Sequence, residues 1–146
     1  MKIRSLIVHA TTTLMLAGCG GSTTTTPTKT ASVAVSYSPN PVPWSAGPGA
    51  TSICAASANV WRYTTTFTES GGVAATLTSV ITTLDGVAQP SVAVTIAAPA
   101  SGSVVNSSEV CFTTSTQHTL QHAFTGTDSQ GKALSFSGPQ VVLSAK

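Results

Sequence analysis

The chain is predicted to be all-β, an antiparallel sandwich of about seven strands, and three observations carry that prediction. Only 7% of its 146 residues are charged while 41% are hydrophobic, a mixture that suits half-buried strands and polar turns better than charged amphipathic helices. Apolar residues recur at alternate positions, as in Val33, Val35 and Tyr37 and again in Trp61, Tyr63 and Phe67, so each set projects into a core from one strand face. Clusters of glycine, asparagine, aspartate and serine punctuate those runs.

The first strand lies in SVAVSYS, and Ser38-Pro39-Asn40-Pro41-Val42-Pro43-Trp44 follows as a stiff proline-rich stretch. WRYTTTF is the next strand, and Glu69-Ser70-Gly71-Gly72 is expected to join it to VAATLTSVITTL as a hairpin, its glycines accepting positive φ. Within VAATLTSVITTL the apolar parity changes, from Val73 and Leu77 to Val80 and Leu84, which predicts a bulge near Ser79. Asp85-Gly86 closes that strand. Later strands are expected over 91–97, 110–115, 119–127 and 133–144, the last two joined by the turn Asp128-Ser129-Gln130-Gly131.

Ahead of this domain the chain reads as a targeting segment. Lys2 and Arg4 form a positive head, residues 6–17 an apolar core, and Gly18 a small residue before Cys19. A core of about 12 residues is too short for the roughly 20 that span a bilayer, so the segment is expected to be cleaved. Leu16-Ala17-Gly18-Cys19 resembles the lipobox of bacterial lipoproteins, although His9 and Thr11-Thr12-Thr13 make the core more polar than most. That resemblance implies that residues 1–18 are a signal peptide and that Cys19 carries fatty acyl groups such as palmitate on its thiol, with a second acylation at the new amino terminus. An ordinary cleaved signal and a chance tetrapeptide are the alternatives. Two or more acyl chains, each contributing about 0.8 kcal/mol per buried CH₂, make a lasting anchor where one is marginal. Gly20 is not the aspartate associated with inner-membrane retention, so the resemblance favours the outer membrane of the cell envelope.

The segment 19–31 continues as GGSTTTTPTKTA after the cysteine, too polar to bury a core and therefore a flexible linker. Its r.m.s. span of about 20 Å would hold the domain of residues 32–146 close to its membrane. Glycosylation of its threonines, and of the sequon Asn106-Ser107-Ser108, is outweighed by a plain solvated spacer and a chance match. Without Lys2 and Arg4, four basic residues face four acidic ones, which leaves no basic face for nucleic acid.

SVAVSYSPNPVP, WRYTTTFTESGGVAATLTSV and GTDSQGKALS together resemble the small immunoglobulin-like or fibronectin type III-like modules of bacterial surface proteins. The resemblance implies a two-sheet sandwich and no particular ligand. Trp61 follows Cys54 too soon to be the core tryptophan of a true immunoglobulin domain, and Glu109 stands where a tyrosine two residues before the second cysteine would be. With Cys19 acylated, Cys54 and Cys111 remain as an even pair in a compartment that permits disulfides, and are expected to be bonded. Two buried free thiols are the alternative.

Catalytic equipment is not recognisable in the chain. Nucleophile elbow, phosphate loop, paired metal cysteines and calcium loop are all missing from the sequence. His118 and His122 alternate on one strand face about 13 Å apart, too far to share a metal, and read as filler at a sheet margin. Glu69, Asp85, Glu109 and Asp128 are scattered. No catalytic residue, metal or cofactor is therefore assigned. Trp44 is the candidate ligand-binding residue, a stacking platform for a glycan or an anchor for an envelope protein, against the plainer role of covering the core's end. Three functions follow: a noncatalytic lipoprotein that binds or spaces another envelope component, a structural subunit of an envelope assembly, or a hydrolase whose cleft gathers His118 or His122 with a carboxylate.

Overall fold

The computed structural model describes residues 28–146, so Cys19, the signal peptide and most of the linker lie outside the described residues. The described chain contains no helix and forms ten strands in two antiparallel sheets. In the first, β3 (Asn59–Glu69) is central, with β7 (Ser103–Phe112) on one edge and β1 (Val33–Ser38) and β2 (Trp44–Ser45) sharing the other. In the second, β4 (Ala75–Leu84) and β8 (His118–Asp128) pair at the centre. The outer edge of β4 carries β5 (Val87–Ala88) and β6 (Val92–Ala98), and that of β8 carries β9 (Ala133–Ser137) and β10 (Val141–Leu143).

Alternation sets the core as expected. Trp61, Phe67, Leu77, Val141 and Leu143 are fully buried in a cluster that draws on both sheets and includes Val35, Tyr37 and Tyr63. Phe67 meets Phe124 edge to face at 5.1 Å, and the Trp61 indole N–H donates to the Ser144 carbonyl at 2.9 Å. The bulge falls where parity changes, with the register of β4 shifting between Leu77 and Ser79 against both neighbours. Asp85 and Gly86 both have positive φ, 47° and 84°, and connect β4 to β5 as a two-residue hairpin turn. Asp128 accepts the N–H groups of Gln130 and Lys132 at 2.9 Å and so builds the β8–β9 turn.

Three expectations are corrected. Glu69-Ser70-Gly71-Gly72 is not a hairpin but the crossing from one sheet to the other, since β3 pairs with β1, β2 and β7 and β4 with β5, β6 and β8. The Glu69 carboxylate organises that crossing: it is buried and accepts N–H groups from Ser32, Gly71, Gly72 and Ser101. Strand β7 begins at Ser103, well before the expected 110, because two of its five inward positions, Asn106 and Ser108, are polar and hide the alternation. The stretch 133–144 is two strands, interrupted at Gly138, where a Cβ would sit 2.6 Å from Val35 Cγ1 and from the Tyr37 hydroxyl. With the short β2 and β5, this raises about seven expected strands to ten.

Candidate functional site

The two sheets meet along two lateral seams, and the seams differ. On the side of β1, β2 and β10, the proline-rich stretch crosses over the core and Val42 locks onto the last strand: its N–H donates to Val142 O at 2.7 Å, and Ser144 N–H donates back to Val42 O at 2.9 Å. Asn40 adds two bonds, its amide donating to Gln140 O at 2.8 Å and its oxygen accepting Val142 N–H at 3.0 Å. This side is sealed.

The other seam runs between the edge of β7 and the edges of β5 and β6. β6 and β7 leave the tight turn 99–102, where Gly102 N–H donates to Pro99 O at 3.1 Å, and enter different sheets. Between them lie two neighbouring cavities. The smaller, about 170 Å³, is bounded by Val94 and Ile96 of β6 and by Asn106 and Ser108 of β7. The larger, about 410 Å³, lies beside Leu84, Gln89, Val110 and Phe112. Thr82 and His122 line both.

Hydrogen bonds cross the floor of this seam. His122 Nδ1 pairs with Thr82 Oγ1 at 2.9 Å and Nε2 with the Tyr63 hydroxyl at 3.3 Å, while Thr65 and Ser108 share a hydroxyl pair at 2.7 Å. Burial lowers the His122 pKa and keeps the ring neutral. Burial also pushes Tyr63 up to about 12, partly opposed by the Ser108 hydroxyl, and raises Tyr37, whose buried oxygen has no partner. The seam floor is therefore polar but uncharged.

Its outer lip is clamped. Cys54 and Cys111 form a disulfide with Cα atoms 5.7 Å apart, as expected, and both line the larger cavity. Beside it Glu109 accepts the N–H groups of Ala50 and Thr51 at 2.8 and 2.9 Å and the Arg62 Nε–H at 2.9 Å. The backbone N–H groups of Ala50 and Thr51 do most to hold its carboxyl down to about 2. The residue at the place of the absent tyrosine thus ties the loop 50–54 to β7 through a carboxylate.

The remaining candidates lie elsewhere. Trp44 packs at the core margin opposite Trp61, with the Lys146 ammonium 4.3 Å from its ring centroid, so a cation already sits on that stacking face. His118 meets Asp85 at 2.7 Å through Nδ1, and its Nε2 faces the hydroxyls of Thr114 and Thr116 at 3.2 and 3.4 Å. This is the histidine and carboxylate juxtaposition that a hydrolase would need. The Asp85 side chain is 46% exposed, also accepts the Thr119 N–H at 2.7 Å, and lines neither seam cavity. Hydrogen bonding from His118, then from the Thr119 N–H, lowers the Asp85 pKa. The pair serves the β4–β5 turn. Among the described residues no three His, Cys, Asp or Glu side chains gather closely enough to hold a metal.

The polar residues of the seam, Thr65, Thr82, Asn106 and Ser108, are not among the candidates that the sequence offers for a site, Asn106 and Ser108 entering there only as parts of a sequon. One signal was present: Thr65 has the parity of Tyr63 and Phe67, so a hydroxyl was bound to face inward.

No protein-family model matches the chain, and no curated protein matches it in sequence. Solved structures do resemble it in fold. A crystal structure of a Bordetella pertussis protein with the provisional name ApaA superposes with a TM-score of 0.57 at 16% identity, over 82% of this chain and 98% of that one. An X-ray structure of the structural genomics target SoR45 gives a TM-score of 0.58 at 14% identity, over 80% of this chain and 87% of that one. At such identities the likeness is one of fold alone.

Proposed function

We propose that this chain is a bacterial lipoprotein, tethered to a cell-envelope membrane through acylated Cys19, whose domain is a noncatalytic immunoglobulin-like or fibronectin type III-like binding module. The observation that carries the binding role is the open seam, a concave, largely apolar surface with a few convergent polar groups, the usual character of a ligand site. Connectivity supports the module reading. The ten strands align as three ribbons (β1 with β2, β3, β7) against four (β6 with β5, β4, β8, β9 with β10). The Cys54–Cys111 bond supports an extracytoplasmic setting.

A second reading, a structural subunit of an envelope assembly, is favoured by Val92 and Val105, which are 57% and 61% exposed on the two lips of the seam and which a packed neighbour would cover. Intact mass of detergent-extracted protein tests the anchor. Cys19 is expected to carry two or three acyl groups, and Cys19→Ser is expected to release the domain in soluble form. An unmodified thiol at Cys19 would overturn the lipoprotein reading. Partners captured from solubilised envelope that are unchanged by Trp44→Ala would confine Trp44 to a scaffold role.

A further inference from the structure

The first sheet is three ribbons wide and the second four, so the first has no ribbon to lie over β6. The inward residues of β6 are left uncovered: Val92 is 57% exposed, and Val94 and Ile96 are half-buried. Alongside this vacant lane runs the free edge of β7. Its register with β3 is unbroken, and over 103–108 it contains no proline, charged residue or bulge, the devices that normally guard an edge. Among the described residues β7 pairs with β3 alone, so its outward-facing N–H and C=O groups beside the smaller cavity have no strand partner.

We infer that this lane receives an extended, uncharged polypeptide segment of a partner protein, which pairs with the β7 edge as a fourth strand of the first sheet and lays alternate apolar side chains over Val94 and Ile96. The inference rests on the binding-module reading and names the occupant of the same seam. Each part of the recognition has its chemistry on the two lips. The β7 backbone recognises a main chain through ladder hydrogen bonds, and the two-residue period of a strand turns every second side chain inward. The cavities have room for side chains, whereas a helix about 10 Å across would need the lips to part. Charge selects as well. The Glu109 carboxylate beside the lane is already neutralised by Arg62 and by backbone donors, so a charged side chain entering the lane would lose hydration without gaining a counter-charge.

A hydrocarbon ligand would use the cavities and leave the backbone edge unpaired. A second copy of this chain would use the edge and leave the cavities empty. Amide hydrogen exchange on the full chain in detergent micelles separates these occupants. The probe is a blocked peptide of about seven residues alternating threonine and valine. At about 1 mM peptide, amides on the free edge within 103–108 are expected to slow about tenfold or more, while those of β1 stay unchanged. A control peptide with proline at the threonine positions, which lacks those N–H groups, is expected to have no effect. Asn106→Lys places a charge in the lane and is expected to abolish the slowing. If that variant does not fold, Val92→Lys on the uncovered inward face of β6 takes its place.

The inference is overturned by no slowing in 103–108, by equal slowing with the proline peptide, or by slowing with 1-dodecanol but not with the threonine–valine peptide. Self-association through the β7 edge without peptide would reassign the lane to a second copy and overturn it too. The mass at Cys19 is read on the same sample, so a missing anchor and an unoccupied lane are told apart.

Discussion

On the sealed side of the domain, four hydrogen bonds tie Val42 and Asn40 to the chain around β10, and Val42 and Leu143 have no exposed surface. On the open side, β6 and β7 share a turn and little else, and between them Thr65, Asn106 and Ser108 face a cavity with valines and aromatic rings. The difference teaches where this fold keeps its stability. Its fully buried apolar side chains are concentrated at the core and the sealed seam, which leaves the open seam free to carry groups that a closed core would exclude. The prolines at 39, 41 and 43 belong to the same contrast, because they withhold N–H groups on the sealed side while β7 keeps those that face away from β3.

The comparison can be broken first at the clamp of the open lip. Replacing Cys54 and Cys111 by serine reopens a loop of 57 residues, and on the chain-entropy account denaturant unfolding should show a loss of about 4 kcal/mol. Leu143→Ala on the sealed side follows closely: it hollows a fully buried site and should cost about 3 kcal/mol in the same measurement. A loss below about 1 kcal/mol there would mean that the sealed seam is not where stability resides.

Acid unfolding sharpens the comparison. The backbone N–H groups of Ser32 and Ser101, with those of Gly71 and Gly72, hold the Glu69 carboxyl at about 2 against an ordinary 4.5. A lowered folded pKa favours the ionised native state, so this contribution is complete above about pH 5 and fades as the pH falls toward 2. Stability measured across that window should fall steeply in the parent chain. Glu69→Gln should remove about one proton from the uptake that accompanies unfolding, and an unchanged slope would remove Glu69 from its organising role. The smallest effect belongs to the open seam. Val94→Ala trims a half-buried side chain with no strand over it, and its cost should stay under about 1 kcal/mol.

The two seams were not equally legible in the residue order. On the sealed side Val33, Val35 and Tyr37 alternate cleanly, and the strand they mark is where it was expected, because burial on one face imposes a period of two. β7 was only half visible. Its inward residues run Val104, Asn106, Ser108, Val110 and Phe112, and the two polar ones in the middle erased the alternation where the strand borders the cavity. The same polar positions that concealed the strand form the wall of the candidate site. Glu69-Ser70-Gly71-Gly72 misled for another reason: a glycine that accepts positive φ, as Gly72 does at 78°, permits a hairpin and a sheet crossing alike, and the choice rests with a carboxylate that collects donors from Ser32 and Ser101.

Residue order pointed to the β character, the Asp85-Gly86 turn and the bulge near Ser79, and, with Cys19 set aside by the lipobox resemblance, to the pairing of Cys54 with Cys111. Each depends on a short-range quantity, the side-chain period, the sign of φ or the count of thiols, that a few neighbouring residues or a simple tally can express. Only the tertiary structure decided which strands share a sheet, which seam is sealed and that His122 faces Tyr63 across an uncharged cleft. Those outcomes turn on contacts between segments dozens of residues apart, whose partners are chosen by the burial of the whole core and not by any local pattern.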